Sequence, residues 1–376
     1  MTNKILRYFS YYGCNDPERR RDNSPAADTK MDYIIEVLNR IGYDVEHVSL
    51  AQSATPKYIS GYCEKKGNNT FRYFASFGKT LSPLRVFNRW FVHIQFLTWC
   101  LFNLKPNEQV LVYHSLGFDA DFLFLKKVKG IRIIGDIEEI YQDVSKQKIS
   151  KEKNEYRFIE ICDKFLFPNT VLNERLNKNN RSYLVCHGIY KANEIVAEKF
   201  SDGKIHLLYS GTFDPVKGGA VASIRMAEFL PENYHLHITG FGDDTAVLSE
   251  LRRIKNVAKC DITYHGYLDN EAFVNLMQSC SIGLCTQDPT SLLNLTSFPS
   301  KILNYMANGL VVLSGRNRAI EESSIADVIY YYDEQSPKAM ADAVLRIEYS
   351  DLEEGRNLLN ELDRHFKDGL EELIQL

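Results

Sequence analysis

From Lys204 onward short apolar runs alternate with segments of helical length. The runs are IHLLYS (205–210), HLHITG (235–240), ITYHG (262–266), SIGLCT (281–286), LVVLSG (310–315) and DVIYYYD (327–333). Helices are predicted after Gly219 and near 244–255, 270–279 and 299–308, and buried strands alternating with helices imply βαβ units and a parallel sheet. Ala220, Ile224 and Ala227 fall at i, i+4 and i+7, so one face of that helix packs on the sheet. The first half repeats the pattern less regularly: KILRYFSYY (4–12), a helix over 28–41 ending at Gly42, DVEHVSLA (44–51), QVLVYHS (109–115), IRIIGDI (131–137), KFLFPN (164–169) and RSYLVCHG (181–188). Residues 52–84 carry a weak, polar pattern that reads as a long mobile excursion, and 336–376 reads as helical and strongly charged. The expected architecture is α/β, with two doubly wound domains over 1–195 and 200–345. A C-terminal helical segment, 346–376, is expected to pack back toward the first domain.

Composition narrows the function classes. With 44% hydrophobic and 25% charged residues among 376, the chain fits neither a disordered nor a fibrous protein. Its net charge of −4 gives no footprint for nucleic acid over the whole molecule. Eight cysteines are scattered with no CxxC spacing, which reads as reduced, mostly buried thiols. The beginning, MTNKILRYFSYYG, has no apolar signal core. The apolar stretch Trp90–Leu104 is broken by His93, Gln95, Thr98 and Asn103, so it is read as a core helix and not as a membrane span. A cytoplasmic protein is expected.

Two tandem α/β domains would turn the carboxyl ends of two parallel sheets toward a cleft, and ligands bind beyond such ends. After the strand ending at Ser210 comes Gly211-Thr212-Phe213-Asp214-Pro215-Val216-Lys217-Gly218-Gly219, then a helix. Backbone N–H groups, a helix start and a lysine ammonium together suit a phosphate, although GxxxxGK[ST] does not fit; glycines that merely cap a strand and start a helix explain the same letters. Gly240-Phe241-Gly242 follows the next strand, where backbone can approach a base or ribose, but GxGxxG is incomplete. In TSFPSKILNYMANG, Pro299 stands at an expected helix start, with N–H groups near Ser300 and Lys301 suited to a diphosphate and Asn304 one turn in, suited to a ribose. A well-capped core helix is the plain alternative.

The ordered set SGTFDPVKG, ITGFG, YHGYL and FPSKILNYMANG before VVLS resembles the nucleotide-sugar domain of GT-B glycosyltransferases of family 4, the glycosyl transferases group 1. The likeness covers Tyr209–Gly315 well and the N-terminal half more loosely. It implies a GT-B fold of two Rossmann-like domains. It also implies transfer of a hexosyl group from a nucleotide-diphosphate sugar, with UDP first and GDP next on family frequency, to a saccharide or lipid-linked saccharide. By analogy with the family's range, a role in bacterial surface polysaccharide synthesis is expected. By resemblance Lys217 contacts the donor diphosphate and serves catalysis, and Gly211, Gly240, Gly242, His265, Leu268, Pro299, Ser300, Lys301 and Asn304 surround the donor. Thr212 stands in place of the family arginine, and Asn304 and Thr296 in place of the family's two glutamates, so this is a divergent member.

In the N-terminal half, IIGDIEEIYQ places Glu138 where the family has a donor-contacting histidine, which makes Glu138 a catalytic candidate. Gly13, Asn23 and Ser24 occupy the place of an early glycine-rich turn, and with His114 form the expected acceptor side. Arg19, Arg20 and Arg21 read as a solvated charge run, or as a grip on a phosphorylated acceptor. Similar enzymes retain configuration and need no metal, so no cofactor or metal is expected; an inverting displacement with Glu138 or Asp119 as base stays open. Arg85, Arg89 and the aromatics of 90–102 leave open a peripheral role at the inner face of the plasma membrane. Two other classes remain: a non-catalytic partner subunit of the same fold, and a sugar-nucleotide epimerase or hydrolase.

Overall fold

The computed structural model of the chain describes residues 4–13, 16–78, 82–141, 152–214, 218–288, 297–348 and 353–376. Two compact units divide it. The first comprises Met1–Pro168, Leu172–Cys186 and Phe366–Leu376, and the second Asn169–Val171 and His187–His365.

In the first unit the apolar runs form β1 (Lys4–Ser10), β2 (Tyr43–Ser49), β3 (Tyr62–Lys66), β4 (Asn69–Tyr73), β5 (Gln109–Tyr113), β6 (Arg132–Asp136), β7 (Lys164–Phe167) and β8 (Tyr183–Val185). They make one sheet in the order β3-β4-β2-β1-β5-β6-β7-β8, in which β3 pairs antiparallel with β4 and the other pairs are parallel. Order reverses between β1 and β5, so the crevice at their carboxyl ends is the topological switch point where ligands of open sheets bind. One side of the core is aromatic. Phe9 meets Phe122 (ring centroids 5.3 Å, 70°) and Phe96 (5.7 Å, 79°) edge-on, the orientation that the ring quadrupole favours.

The region 52–84 departs from its reading as an excursion. It holds β3 and β4, joined by a two-residue turn at Gly67 (φ +60), where a first turn residue of positive φ suits glycine. The sequence YCEKK hid the strand because β3 is an edge strand paired on one side only, with half-exposed and exposed side chains. Arg21 corrects the charge-run reading. It is 1% exposed, donates to the Ala51 and Phe74 carbonyls (2.8 Å each) and lies under the rings of Tyr62 and Tyr73, so it fastens this extension and is open neither to solvent nor to an acceptor.

The second unit has β9 (Ile205–Phe213), β10 (Tyr234–Gly242), β11 (Asp261–Gly266), β12 (Ile282–Cys285), β13 (Val311–Gly315) and β14 (Ile329–Tyr332). All pairs are parallel, in the order β11-β10-β9-β12-β13-β14, with the switch point between β9 and β12. Burial of the central strands β9, β10, β12 and β13 explains why their runs read as largely apolar segments. The stretch 190–204 is tied to this unit: Asn193 N donates to Ala307 O (2.9 Å), and Lys199 Nζ to Gly309 O (2.9 Å). No helix among the described residues is long and apolar enough to cross a membrane.

Candidate functional site

Near the carboxyl end of β9 lies Gly211, and register sets Gly211 opposite Gly240 and Phe213 opposite Gly242. The glycines let two backbones close up. A Cβ at Gly240 would run into the Gly211 carbonyl, and one at Gly242 (φ +120) would lie 2.8 Å from the Phe213 carbonyl. The next glycines, Gly218 (φ +61) and Gly219, open the helix Gly219–Met226; a Cβ at Gly219 would come within 3.0 Å of the Tyr209 ring.

Lys301, 90 positions after Gly211, reaches the same place. Its Nζ lies 4.2 Å from the Tyr209 ring centroid, a cation–π distance, and 3.0 Å from where a Gly211 Cβ would stand. The helix Lys301–Ala307 sets this geometry. One turn on from Lys301, Tyr305 is fully buried, and its hydroxyl accepts from Ser210 N (2.9 Å) and Ser210 Oγ (3.1 Å). Gly283 on β12 makes room for that ring, because a Cβ there would strike Tyr305. The helix is thereby pinned across β9 and β12, at the switch point, with an ammonium beside a glycine. Burial pushes both tyrosine hydroxyls well above their usual pKa, so they stay protonated.

The other expected donor residues are placed as follows. Pro299 precedes the helix and is not its first residue; its carbonyl accepts from Ile302 N (3.0 Å), a turn leading into the helix, and Ser300 stands at the cap without a side-chain capping bond. Asn304 is exposed and shares its side-chain oxygen with Asn308 Nδ2 (3.2 Å). Thr212 is exposed beyond Gly211. His265 turns its imidazole to His237 (3.0 Å), while Gly266 (φ +63) and half-buried Leu268 follow β11. Lys217 and Thr296 lie outside the described residues. Two aromatics that the sequence reading did not single out, Phe241 (60% exposed) and Tyr267 (72% exposed), stand at the carboxyl ends of β10 and β11.

The crevice of the first unit is built from ionisable groups. Gly13, after β1, donates its N–H to Asp28 Oδ2 (3.1 Å), and Asn23 donates to the same oxygen, so Gly13 and Asn23 meet at the start of the helix Pro25–Arg40. Ser24 is the exposed cap residue of that helix. Glu138, two residues beyond β6, pairs with Lys30, which also donates to the Cys186 carbonyl (2.9 Å). Beneath them Asp136 is wholly buried and accepts from the Tyr8 hydroxyl (2.5 Å); burial first, then the Glu138 charge, push its pKa up to about 8. Burial works against the charge on Lys30, but Glu138 and its neighbours outweigh it and hold the ammonium's pKa above its ordinary value. His114 lies inside the core, 1% exposed and stacked on Phe158, and burial lowers its pKa to about 4, so it is neutral and sits beneath the crevice surface. Lys30, Asp136 and Tyr8 were not legible as partners because Lys30 and Glu138 are 108 positions apart, and Tyr8 and Asp136 are 128 apart.

Residues 204–348 match the family model described as glycosyl transferases group 1. No curated protein matches the chain in sequence. Among solved structures, an E. coli structure described as trehalose-6-phosphate bound with UDP-2-fluoro glucose is similar over 99% of this chain and 99% of its own, at 11% identity and TM-score 0.67. An alpha,alpha-trehalose 6-phosphate synthase from Burkholderia multivorans is similar over 100% of this chain and 98% of its own (12% identity, TM-score 0.66). A trehalose-6-phosphate synthase studied for glycosyltransfer with retention is similar over 98% and 99% (12% identity, TM-score 0.64). Residues 204–348 therefore resemble the glycosyl transferases group 1, and the chain has the GT-B fold.

Proposed function

We propose that the chain transfers a glycosyl group from a UDP-sugar to a hydroxyl of a saccharide or lipid-linked saccharide, with retention and without a metal. The observation that carries this reading is the placement of Lys301 Nζ beside Gly211 at the switch point of the second sheet. Departure of the nucleotide develops negative charge on the diphosphate, and a fixed ammonium with close backbone approach lowers the energy of that charge. Lys217 is proposed as a second diphosphate contact. The exposed faces of Phe241 and Tyr267 suit stacking of the nucleoside base. The UDP donor is favoured by the similar E. coli structure bound with UDP-2-fluoro glucose, and retention by the similar synthase studied for that stereochemistry.

On the acceptor side we assign Glu138, the partly exposed member of its ion pair, to orient the acceptor hydroxyl by accepting its hydrogen bond, while the departing phosphate takes the proton. Glu138→Gln should then lower turnover while leaving UDP affinity unchanged. The helix Ser82–Asn103 presents Phe87, Trp90 and Ile94, each more than half exposed, on one face, with exposed Arg89 on the adjoining side of the helix, which suits a cytoplasmic enzyme resting on an anionic membrane that carries its acceptor. A panel of UDP-sugars tested for UDP release, with and without saccharide and lipid-linked acceptors and with EDTA, tests the whole reading. Acceptor-dependent release that survives EDTA supports it, and UDP binding without turnover of any donor overturns it in favour of a nucleotide-binding partner subunit. The neutral residues Thr212 and Asn304 are what favour that second reading.

A further inference from the structure

The amino-terminal half of the second sheet carries a histidine cluster that the glycosyl-transfer reading does not use. His206 on β9 and His235 on β10 are register partners, and His237 lies two residues further along β10, so the side chains of all three fall on one face. One nitrogen from each lies within 4.8 Å of one from both others. His206 Nδ1 and His237 Nε2 meet at 2.8 Å, and the rings of His235 and His237 stack at 4.1 Å.

The surroundings hold these rings as outer partners hold metal-binding imidazoles. His206 Nε2 meets the Asp202 carboxylate (2.9 Å), His237 Nδ1 meets His265 (3.0 Å) and His235 Nε2 meets Thr263 Oγ1 (2.8 Å). Asp202 and Asp261 add negative charge at this edge, and Asp261 is paired with Lys204. Phe200 stacks on His206 at 4.0 Å and walls one side with apolar surface.

We propose that His206, His235 and His237 bind a divalent transition-metal ion of the zinc class. Imidazole suits zinc, nickel and copper, and three protein ligands leave a position for water. Tetrahedral coordination at about 2.0–2.1 Å asks for nitrogens about 3.3 Å apart, so the 2.8 Å pair opens by about half an ångström, its shared hydrogen bond giving way to the ion, and the other separations, all within 4.8 Å, close toward the same value. The ion would cross-link β9, β10 and the segment that carries Asp202. It stands about five residues, roughly 16 Å at about 3.3 Å per residue, down β9 from Gly211, so this is a structural clip separate from the transfer chemistry.

The test uses the full-length, tag-free chain, stripped with EDTA and titrated with zinc against a chromogenic chelator. A parallel titration with cobalt is read by visible absorption. One ion per chain is expected, with a zinc-dependent rise in thermal midpoint. His235→Ala, which alters the partly exposed member, should abolish both. Asp202→Asn should weaken affinity at least about 10-fold through loss of the outer contact. Chelator-limited background with either metal overturns the proposal, and so does unchanged affinity in His235→Ala. Should His237→Asn fail to fold, His235→Ala and the cobalt spectrum of the unaltered chain still decide it.

Discussion

The switch-point crevices of the two sheets are built from opposite materials. In the first unit the carboxyl ends of β1 and β6 gather Tyr8, Lys30, Asp136 and Glu138, an array of protons and charges held by one another. In the second, the carboxyl ends of β9, β10 and β12 gather Gly211, Gly240, Gly242 and Gly283, tyrosine rings, and the ammonium of Lys301. One crevice is a mutually paired set of ionisable groups, and the other brings closely spaced backbone and a cation together. The same doubly wound scaffold supports both because what differs lies in loops and strand ends and not in the sheet.

Breaking the charge array should have the larger effect on stability. Lys30→Met leaves Glu138 without its cation, and removing one partner of a buried pair costs about 3–5 kcal/mol. Because Glu138 is about one-fifth exposed, the lower end is expected in urea unfolding of the first unit. A loss below about 1 kcal/mol would show that the array is solvated. In the second unit Gly240→Ala forces a methyl into the Gly211 carbonyl and should cost about 1–3 kcal/mol, together with loss of nucleotide binding. Wild-type stability and binding would mean that the two strands do not need their close approach.

Tyr305→Phe keeps the ring but leaves the buried Ser210 N–H without its acceptor, at about 1–2 kcal/mol. It should also lower UDP affinity by freeing the helix that carries Lys301. Full affinity would separate the helix anchor from the donor site. A separate handle is the pH dependence set by Asp136. Its pKa is about 8 in the fold against an ordinary 3.8, so the folded chain keeps a proton that the unfolded chain releases. That contribution to stability is full below pH 3.8 and is lost as pH rises through about 8. Asp136→Asn should flatten this part of the stability–pH curve, and an unchanged slope would place the titration elsewhere.

The contrast also explains what could be read from the sequence. The central strands β9, β10, β12 and β13 were legible because mostly buried strands announce themselves as largely apolar runs, as in IHLLYS and LVVLSG. The glycine half of the donor crevice was legible for the same reason, since Gly211, Gly240 and Gly242 each follow such a run. The helix Asp119–Lys129 was missed although Gly130 (φ +65) closes it, because DADFLFLKKVK breaks the helical period with a block of apolar residues. Tyr305 and Lys30 act across 95 and 108 positions, and no local spacing encodes such a meeting. The His235-Leu236-His237 alternation on a strand was the one local sign of the histidine cluster, and it became meaningful once register set His206 beside it.

The central claim is that Lys301 and the glycines around it bind the donor diphosphate, and calorimetric titration of UDP into the unaltered chain and into Lys301→Ala tests it most directly. A charge-assisted hydrogen bond is worth about 1.5–3 kcal/mol, so UDP should bind the unaltered chain and bind the variant about 10- to 100-fold more weakly. Equal affinity in the two, with both folded, would contradict the account, as would an unaltered chain that binds no UDP.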